Sequence, residues 1–115
     1  MNHVRIRLDP TIDNCDDPSF WFDLVLNHQN RVAGKHMAFG LNAEMKRRDV
    51  HFYPVVLFRS GQLDFGTTYG VDQFGETDLL DGEIIKGRLI EIRVRIQGVL
   101  KLLRYRIEGI EALPA

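Results

Sequence analysis

Residues 88–110 read RLIEIRVRIQGVLKLLRYRIEGI, so a charged residue occupies nearly every second position of an otherwise aliphatic run. Successive side chains of a β-strand point to opposite faces of the sheet, so this alternation predicts strands with one apolar and one charged face. Gln97 and Gly98 interrupt the run and predict the turn of a hairpin. This two-faced hairpin is the strongest constraint on the fold of the chain.

An even-numbered loop centred on Gln97 and Gly98 fixes the register of the hairpin. The residue numbers of any two cross-strand partners then add up to the same total as 97 and 98. The partners are therefore the same whether the loop has two residues or four. In this register Glu91 lies opposite Arg104, and we expect the two to form an ion pair. The face predicted to lie against the core is apolar except for one lysine near the tip and comprises Ile92, Val94, Ile96, Val99, Lys101, Leu103, Tyr105 and Ile107.

The opposite face of the hairpin carries two leucines among four arginines. We call this set the basic face, and it consists of Arg93, Arg95, Leu100, Leu102, Arg104 and Arg106. Arginine is well suited to bidentate contacts with carboxylates and phosphates, and an apolar centre with a polar rim is typical of protein interfaces. The set is therefore interpreted either as a solvated surface, with arginine stems covering the leucines, or as the binding surface for a protein partner with an acidic surface.

Several other segments also favour strands. Residues 3–8 alternate between apolar and polar side chains, while 20–28 and 51–59 are rich in aromatic and β-branched residues. The polar residues 27–30 predict a hairpin turn after the second of these segments. The alternative there is a helix that begins at Asp17-Pro18, a legitimate pair for the first turn.

Strong turn signals divide the middle of the chain. Pro54 removes a ladder donor and favours a sheet edge or a bulge, and four glycines between 61 and 75 leave room only for short strands. The best helix formers lie in residues 42–48, where Asn42 can cap a short helix. Asp81-Gly82 predicts a turn before the long final hairpin.

Together these segments predict a mostly β fold, an antiparallel β-barrel or a compact sandwich with at most one short helix around 42–48. The length of 115 residues suits one domain spanning 1–115, and no linker or repeat divides it. Residues 1–10 carry arginines where a secretory signal needs an apolar stretch, and the apolar runs are too short to cross a bilayer. We therefore expect a cytoplasmic protein that makes no membrane contact.

The formal net charge of −1 conceals a strong segregation along the chain. Residues 62–83 contain six carboxylates and no Lys or Arg, whereas 84–107 contain seven basic residues and one Glu. Segments adjacent in sequence are usually adjacent in space, so we expect these blocks to pair mainly with each other. The alternative is that one sign of charge faces a partner of the opposite sign.

The sequence contains no pattern typical of a metal or cofactor site. The four histidines do not form a spaced ligand pair, and Cys15 is the single cysteine. A disulfide within the chain is therefore excluded, and the neighbouring aspartates Asp13, Asp16 and Asp17 disfavour a nucleophilic thiolate. We predict neither a metal nor a cofactor.

The function we expect is non-enzymatic protein binding through the basic face, as in an adaptor, inhibitor or immunity-type protein. A barrel that binds single-stranded nucleic acid is the first alternative, although the isoelectric point of 6.4 and the absence of an aromatic residue from the predicted face disfavour it. Trp21 could supply a stacking platform. A small enzyme is the second alternative, and its candidate acid–base groups are His51, Tyr69, Asp72 and Glu76.

Overall fold

The computed structural model describes residues 2–12, 18–33, 38–46, 49–66 and 72–114. The strands are antiparallel, each pairs with its neighbours in sequence, and the first also pairs with the last, so the sheet closes into a barrel. The predicted mostly β, barrel-type fold is confirmed. The strands are β1 (Asn2–Pro10), β2 (Ser19–Leu26), β3 (Ala38–Lys46), β4 (Asp49–Leu57), β5 (Gln62–Asp64), β6 (Phe74–Thr77), β7 (Leu89–Ile96) and β8 (Val99–Ala112).

The ladders of the barrel are long on one side and short on the other. Nine residue pairs join β3 to β4 and eight join β7 to β8, whereas two pairs join β4 to β5 and two join β6 to β7. The short ladders coincide with the glycine-rich segment, as predicted. Pro54 pairs with Leu41 of β3 and precedes the pairs between β4 and β5, which begin at Val56. Among the described residues, β4 therefore pairs only with β3 at Pro54, where the missing N–H donor of proline is tolerated.

The predicted helix around 42–48 is wrong for the residues that the structure describes. Residues 42–46 belong to β3, which pairs with β4 from Ala38 opposite Leu57 to Lys46 opposite Asp49, and 47–48 lie outside the described residues. Helix propensity contributes only a few tenths of a kcal/mol per residue, and a two-turn helix leaves most of its backbone groups unpaired. The ladder to β4 satisfies those groups, so tertiary pairing overrides local preference.

The alternative helix beginning at Asp17-Pro18 is also absent where the chain is described, because β2 starts at Ser19. The turn predicted at 27–30 is present, and the Asn27 Oδ1 accepts hydrogen bonds from the backbone N–H groups of Gln29 (2.8 Å) and Arg31 (3.1 Å). Such a bonded side chain stabilises a turn at low cost to the ladder. Among the described residues, no helix has the length and apolar character needed to cross a membrane.

The core fills the interior of the barrel with aliphatic and aromatic side chains. Phe20 lies in an aromatic group, since its ring stacks on Phe22 with centroids 6.0 Å apart and meets Tyr105 edge-on at 5.2 Å. The hydroxyl of Tyr105 donates to the Pro18 carbonyl at 2.9 Å, so this buried polar group is satisfied. The largest fully buried side chains are Ile6, Leu8, Phe22, Leu57, Leu63, Leu79, Ile90, Ile92, Tyr105 and Ile107.

The final hairpin has the predicted register, from Leu89 opposite Arg106 to Ile96 opposite Val99. Gln97 (φ 52°) and Gly98 (φ 79°) both adopt left-handed backbone angles, as a two-residue type I′ turn requires. The twist of this turn matches that of paired strands, so the turn and the alternation select the same register.

Most of the predicted inner face of the hairpin lies in or against the core, but Val99 at the tip does not. Ile92, Val94, Tyr105 and Ile107 are buried, whereas Val99 is 55% exposed. The core prediction for Val99 is therefore wrong. The described part of β1 pairs with β8 no further than Pro10 opposite Tyr105, so the tip extends past the recorded end of this ladder.

The meander topology places the connections alternately at the two ends of the barrel. The β7–β8 turn lies at one end, and the β2–β3, β4–β5 and β6–β7 connections lie at the other. Residues 78–88 pack at that far end, where the Ile84 N–H donates to the Asn30 carbonyl at 2.7 Å. The far end is therefore separated from the hairpin tip by the length of the strands.

Arg88 organises the connection before β7. Its Nη1 donates to the carbonyls of Leu79 and Glu83, both at 3.0 Å, and its Nη2 donates to the carbonyl of Asp78 at 2.8 Å. The acidic segment 78–83 thus packs against Arg88, but these contacts are made to backbone carbonyls and are not the pairing of opposite charges that the segregation predicts. A planar guanidinium with several donors can satisfy three carbonyls at once, which an ammonium or an amide cannot do in the same geometry.

Replacing Arg88 by Gln should lower the free energy of unfolding by about 1–3 kcal/mol, because partly buried carbonyls lose their donors. Urea denaturation followed by circular dichroism measures this change. The matched control is Lys86→Gln, which removes the same charge from an exposed neighbour. Equal stability of the two variants would show that the three hydrogen bonds contribute nothing measurable.

Candidate functional site

The structure brings the six residues of the basic face together on the outer surface of β7 and β8. The register places Arg93 opposite Leu102 and Arg95 opposite Leu100. Directly opposed positions have Cβ atoms about 5 Å apart, and alternate residues along a strand are about 7 Å apart. All six residues are exposed, so the face forms one continuous surface.

The centre of the basic face is apolar and exposed. Leu100 is 52% exposed and Leu102 is 58% exposed. Neighbouring exposed apolar side chains that are rimmed by charge commonly mark an interaction surface, whereas scattered ones are ordinary. The leucines are alternate residues of one strand, so they point to the same side and are contiguous.

An aromatic side chain that the hairpin pattern does not contain extends this surface. Phe74, at the start of β6, is 48% exposed. It lies two residues before Glu76, which pairs with Arg93, and close to Asp72, whose N–H donates to the Arg95 carbonyl at 3.0 Å. Phe74 therefore adds an apolar side chain beside the arginines of β7.

Gly75 explains why Phe74 is directed outward. Gly75 pairs with the buried Leu63, and a Cβ at this position would lie 2.8 Å from the Phe65 ring and 2.6 Å from the Arg93 carbonyl oxygen. Glycine is thus required for β6 to approach β7 closely, and the residues before and after it face away from the core. The available sequence signal is Phe-Gly-Glu, but a strand of four residues is too short for its alternation to be read.

Two of the four arginines on the basic face have carboxylate neighbours. Arg93 Nε lies 3.2 Å from Glu91 Oε1, and Arg93 Nη1 lies 3.8 Å from Glu76 Oε2. Arg106 Nη1 lies 3.9 Å from Glu108 Oε1. The ion pair predicted between Glu91 and Arg104 is not the one observed, because the carboxylate contacts Arg93 on its own strand.

Arg95 and Arg104, the other two arginines of the basic face, differ in their carboxylate contacts. In the described part of the chain, no carboxylate lies within 4.0 Å of a guanidinium nitrogen of Arg95 or Arg104. Arg95 lies opposite Leu100, and Arg104 follows Leu102 by two residues on β8. The two arginines without a carboxylate therefore flank the two exposed leucines.

The arginines of the adjacent β1 strand provide a contrast. Arg5 makes a bidentate contact with Asp23, with Nε to Oδ1 at 2.7 Å and Nη2 to Oδ2 at 3.0 Å. The hydrogen bond and the charge of Asp23 raise the pKa of the Arg5 guanidinium above its ordinary value. Arg7 Nε lies 3.0 Å from Asp9 Oδ2. Charge on the outer surface of β1 is thus compensated locally, unlike that of Arg95 and Arg104.

Among the described candidate acid–base groups for an enzyme, His51 lies on a different strand from the segment that carries Asp72 and Glu76. His51 belongs to β4 and Glu76 to β6, with β5 between them, while Asp72 precedes β6 and is exposed. Tyr69 lies outside the described residues. Glu76 lies 3.8 Å from Arg93 and so belongs to the edge of the basic face.

The remaining residues considered as metal ligands, nucleophile or stacking platform are not all described by the structure. His3 and His28 are exposed, whereas Cys15 and His36 lie outside the described residues. Among described side chains, no three from His, Cys, Asp and Glu are grouped so that they could hold a metal ion. Trp21 lies on β2 opposite Arg7 and is partly exposed, whereas its two phenylalanine neighbours are in the core.

No protein-family model matches this chain, and no curated protein or solved structure is significantly similar to it.

Replacing Leu100 and Leu102 together by Thr should change the free energy of unfolding by less than about 1 kcal/mol, because both side chains are already in contact with water and Thr suits a strand. Leu63→Ala, at a fully buried position of β5, should instead cost about 2–5 kcal/mol. Urea unfolding curves of the two variants measure the difference. A large loss of stability in the double variant would place the leucines in the folded core.

Proposed function

We propose that this protein binds a protein partner with an acidic surface through the basic face. The observation that carries the proposal is the position of exposed Leu100 and Leu102 between Arg95 and Arg104, which lack a carboxylate neighbour in the described part of the chain. The role suits an adaptor, an inhibitor or an immunity-type protein, which act by occupying another protein.

The physical basis of the proposal is the cost of leaving this surface uncovered. Full burial of a leucine or phenylalanine side chain contributes about 1.5–3 kcal/mol, so covering what remains exposed of Leu100, Leu102 and Phe74 provides several kcal/mol before the costs of association. Arginines at the rim add carboxylate contacts and accelerate encounter with an acidic partner. The apolar centre supplies affinity, and Arg95 and Arg104 supply orientation.

The roles of the four arginines should differ. Arg93 and Arg106 already lie beside carboxylates of their own chain, so a partner carboxylate must compete with Glu91, Glu76 or Glu108 for them. Arg95 and Arg104 have no such competitor among the described residues. We therefore assign the main electrostatic contacts to Arg95 and Arg104.

Reversing the charge of Arg95 and Arg104 together, both to Glu, should weaken the complex at least a hundredfold. Each reversal replaces an attraction by a repulsion at the rim of an apolar contact, and a hundredfold corresponds to about 2.7 kcal/mol. The measurement is titration calorimetry against the protein that immobilised wild-type chain retains from the native cell, after that protein has been identified and purified. The thermal midpoint should stay nearly unchanged, because both side chains are exposed.

The matched control is the double variant Arg59→Glu and Lys86→Glu, which makes the same change in net charge at the far end of the barrel. This control should bind like the wild type. Wild-type affinity in the Arg95 and Arg104 variant, or equal weakening in the two variants, would show that the basic face is not the binding surface.

Single-stranded nucleic acid is the second candidate ligand, and Phe74 is the observation that favours it. Binding surfaces for single strands combine arginines with exposed aromatic platforms on which bases stack. Phe74 lies beside the Arg93 to Arg95 stretch of β7 and is 48% exposed. Two arginines without a carboxylate are nevertheless few compared with the phosphates that such a surface normally neutralises.

A fluorescent 15-nucleotide oligothymidylate distinguishes the two candidates. Titration at low salt should show no saturable binding if the partner is a protein. Saturable binding that decreases steeply with salt and is lost in Phe74→Ala would favour the nucleic-acid function instead.

A further inference from the structure

At the tip of the β7–β8 hairpin, residues 96–102, the β8 strand is exposed on both of its faces. Leu100 and Leu102 belong to the basic face, whereas Val99 and Lys101 belong to the opposite face, which continues into the core further along the strands. Val99 is 55% exposed, nearly the same as Leu100 at 52%. Val99 therefore adds an exposed apolar side chain on the inner face, although its partner Ile96 on β7 packs against the core.

This exposure follows from the unequal lengths of the strands. The described part of β1 leaves the ladder of β8 at Tyr105, followed by one hydrogen bond from the Thr11 N–H to the Arg104 carbonyl at 3.0 Å. β8 continues for five further residues to Val99. On the inner face of this length Val99 and Lys101 are exposed, whereas Leu103 and the β7 residues Val94 and Ile96 still lie in or against the core.

The charge at the tip and directly beside it is positive on both faces. Arg95 and Arg104 lie on one face and Lys101 lies on the other, and no Asp or Glu occurs between Glu91 and Glu108. A flat acidic partner would compensate the charge of one face only. A partner that encloses the tip would compensate both and would also cover Val99.

We propose that the tip, residues 96–102, inserts into a cleft of its protein partner, with apolar side chains on both walls of the cleft and carboxylates at its rim. This inference rests on the proposed function and extends the contact to Val99 and Lys101. Packed sheets lie about 10 Å apart, so the backbones of the two walls would lie about 20 Å apart with the β8 strand of the tip between them. The I′ turn holds both strands of the tip in one conformation, which limits the ordering cost of insertion.

Site-specific photo-crosslinking in the cell that produces the protein tests the two-sided contact. A photoreactive phenylalanine analogue is placed in the full chain at Val99, at Leu100 or at Arg59, the last being an exposed control position at the far end of the barrel. Crosslinks from Val99 and Leu100 should join the same protein, identified by mass spectrometry, at different peptides that carry carboxylates. The Arg59 position should not yield this product.

A charge reversal on the inner face provides the quantitative test. Lys101→Glu should weaken binding of the purified crosslinked protein at least tenfold in calorimetry, while Lys86→Glu, with the same charge change at the far end, should leave it unchanged. Lys101 lies on the side away from the basic face, so a contact with that face alone would not require it.

The possible results separate the two proposals. Crosslinks from Leu100 but not Val99, with binding that depends on Arg95 and Arg104 but not on Lys101, would overturn the cleft and leave the proposed function standing. Products no stronger from either tip position than from Arg59 would overturn both. Crosslinks to nucleic acid or lipid, in place of a protein, would also overturn both.

Discussion

The pairing of β7 with β8 through the I′ turn at Gln97 and Gly98 is the constraint on which the rest of the structure depends. If β7 slipped by one residue along β8, its two faces would exchange, moving Arg93 and Arg95 inward and Ile92 and Val94 into water. The loss of these buried apolar side chains together with the burial of charged ones would exceed the stability of a domain of this size. The register is therefore strongly determined, and with it the composition of the basic face.

Closure of the barrel then determines which part of that hairpin is core and which part is exposed surface. Pairing of β8 with β1 leaves no open sheet edge along the buried half of the strand, and Tyr105 and Ile107 complete the interior there. Beyond Tyr105 the same strand alternates as before, but of its inner-face residues only Leu103 still packs against the core, while Lys101 and Val99 are exposed. One continuous ribbon thus acts as core at its base and as exposed surface at its tip.

Local contacts of the arginines determine how positive charge is distributed over the surface. On β1 the arginines contact Asp23 and Asp9, on β7 Arg93 contacts Glu91 and Glu76, and before β7 Arg88 is bound to three carbonyls. Exposed ion pairs of this kind contribute little to stability, but they reduce the charge that is available to a ligand. What remains near the exposed leucines is concentrated at Arg95 and Arg104, so a nearly neutral protein presents a locally positive, apolar patch.

The sequence by itself determined the mostly β fold, the turn at Gln97 and Gly98, and the outward direction of all six residues of the basic face, because alternation with period two is a local property of a strand. It did not determine the ends of the barrel, so Val99 was expected in the core. It favoured a helix at 42–48, where pairing of β3 with β4 prevails over propensity. The position of Phe74 beside the arginines of β7 depends on contacts between strands. Such contacts arise only when distant segments meet, and only the tertiary structure decided them.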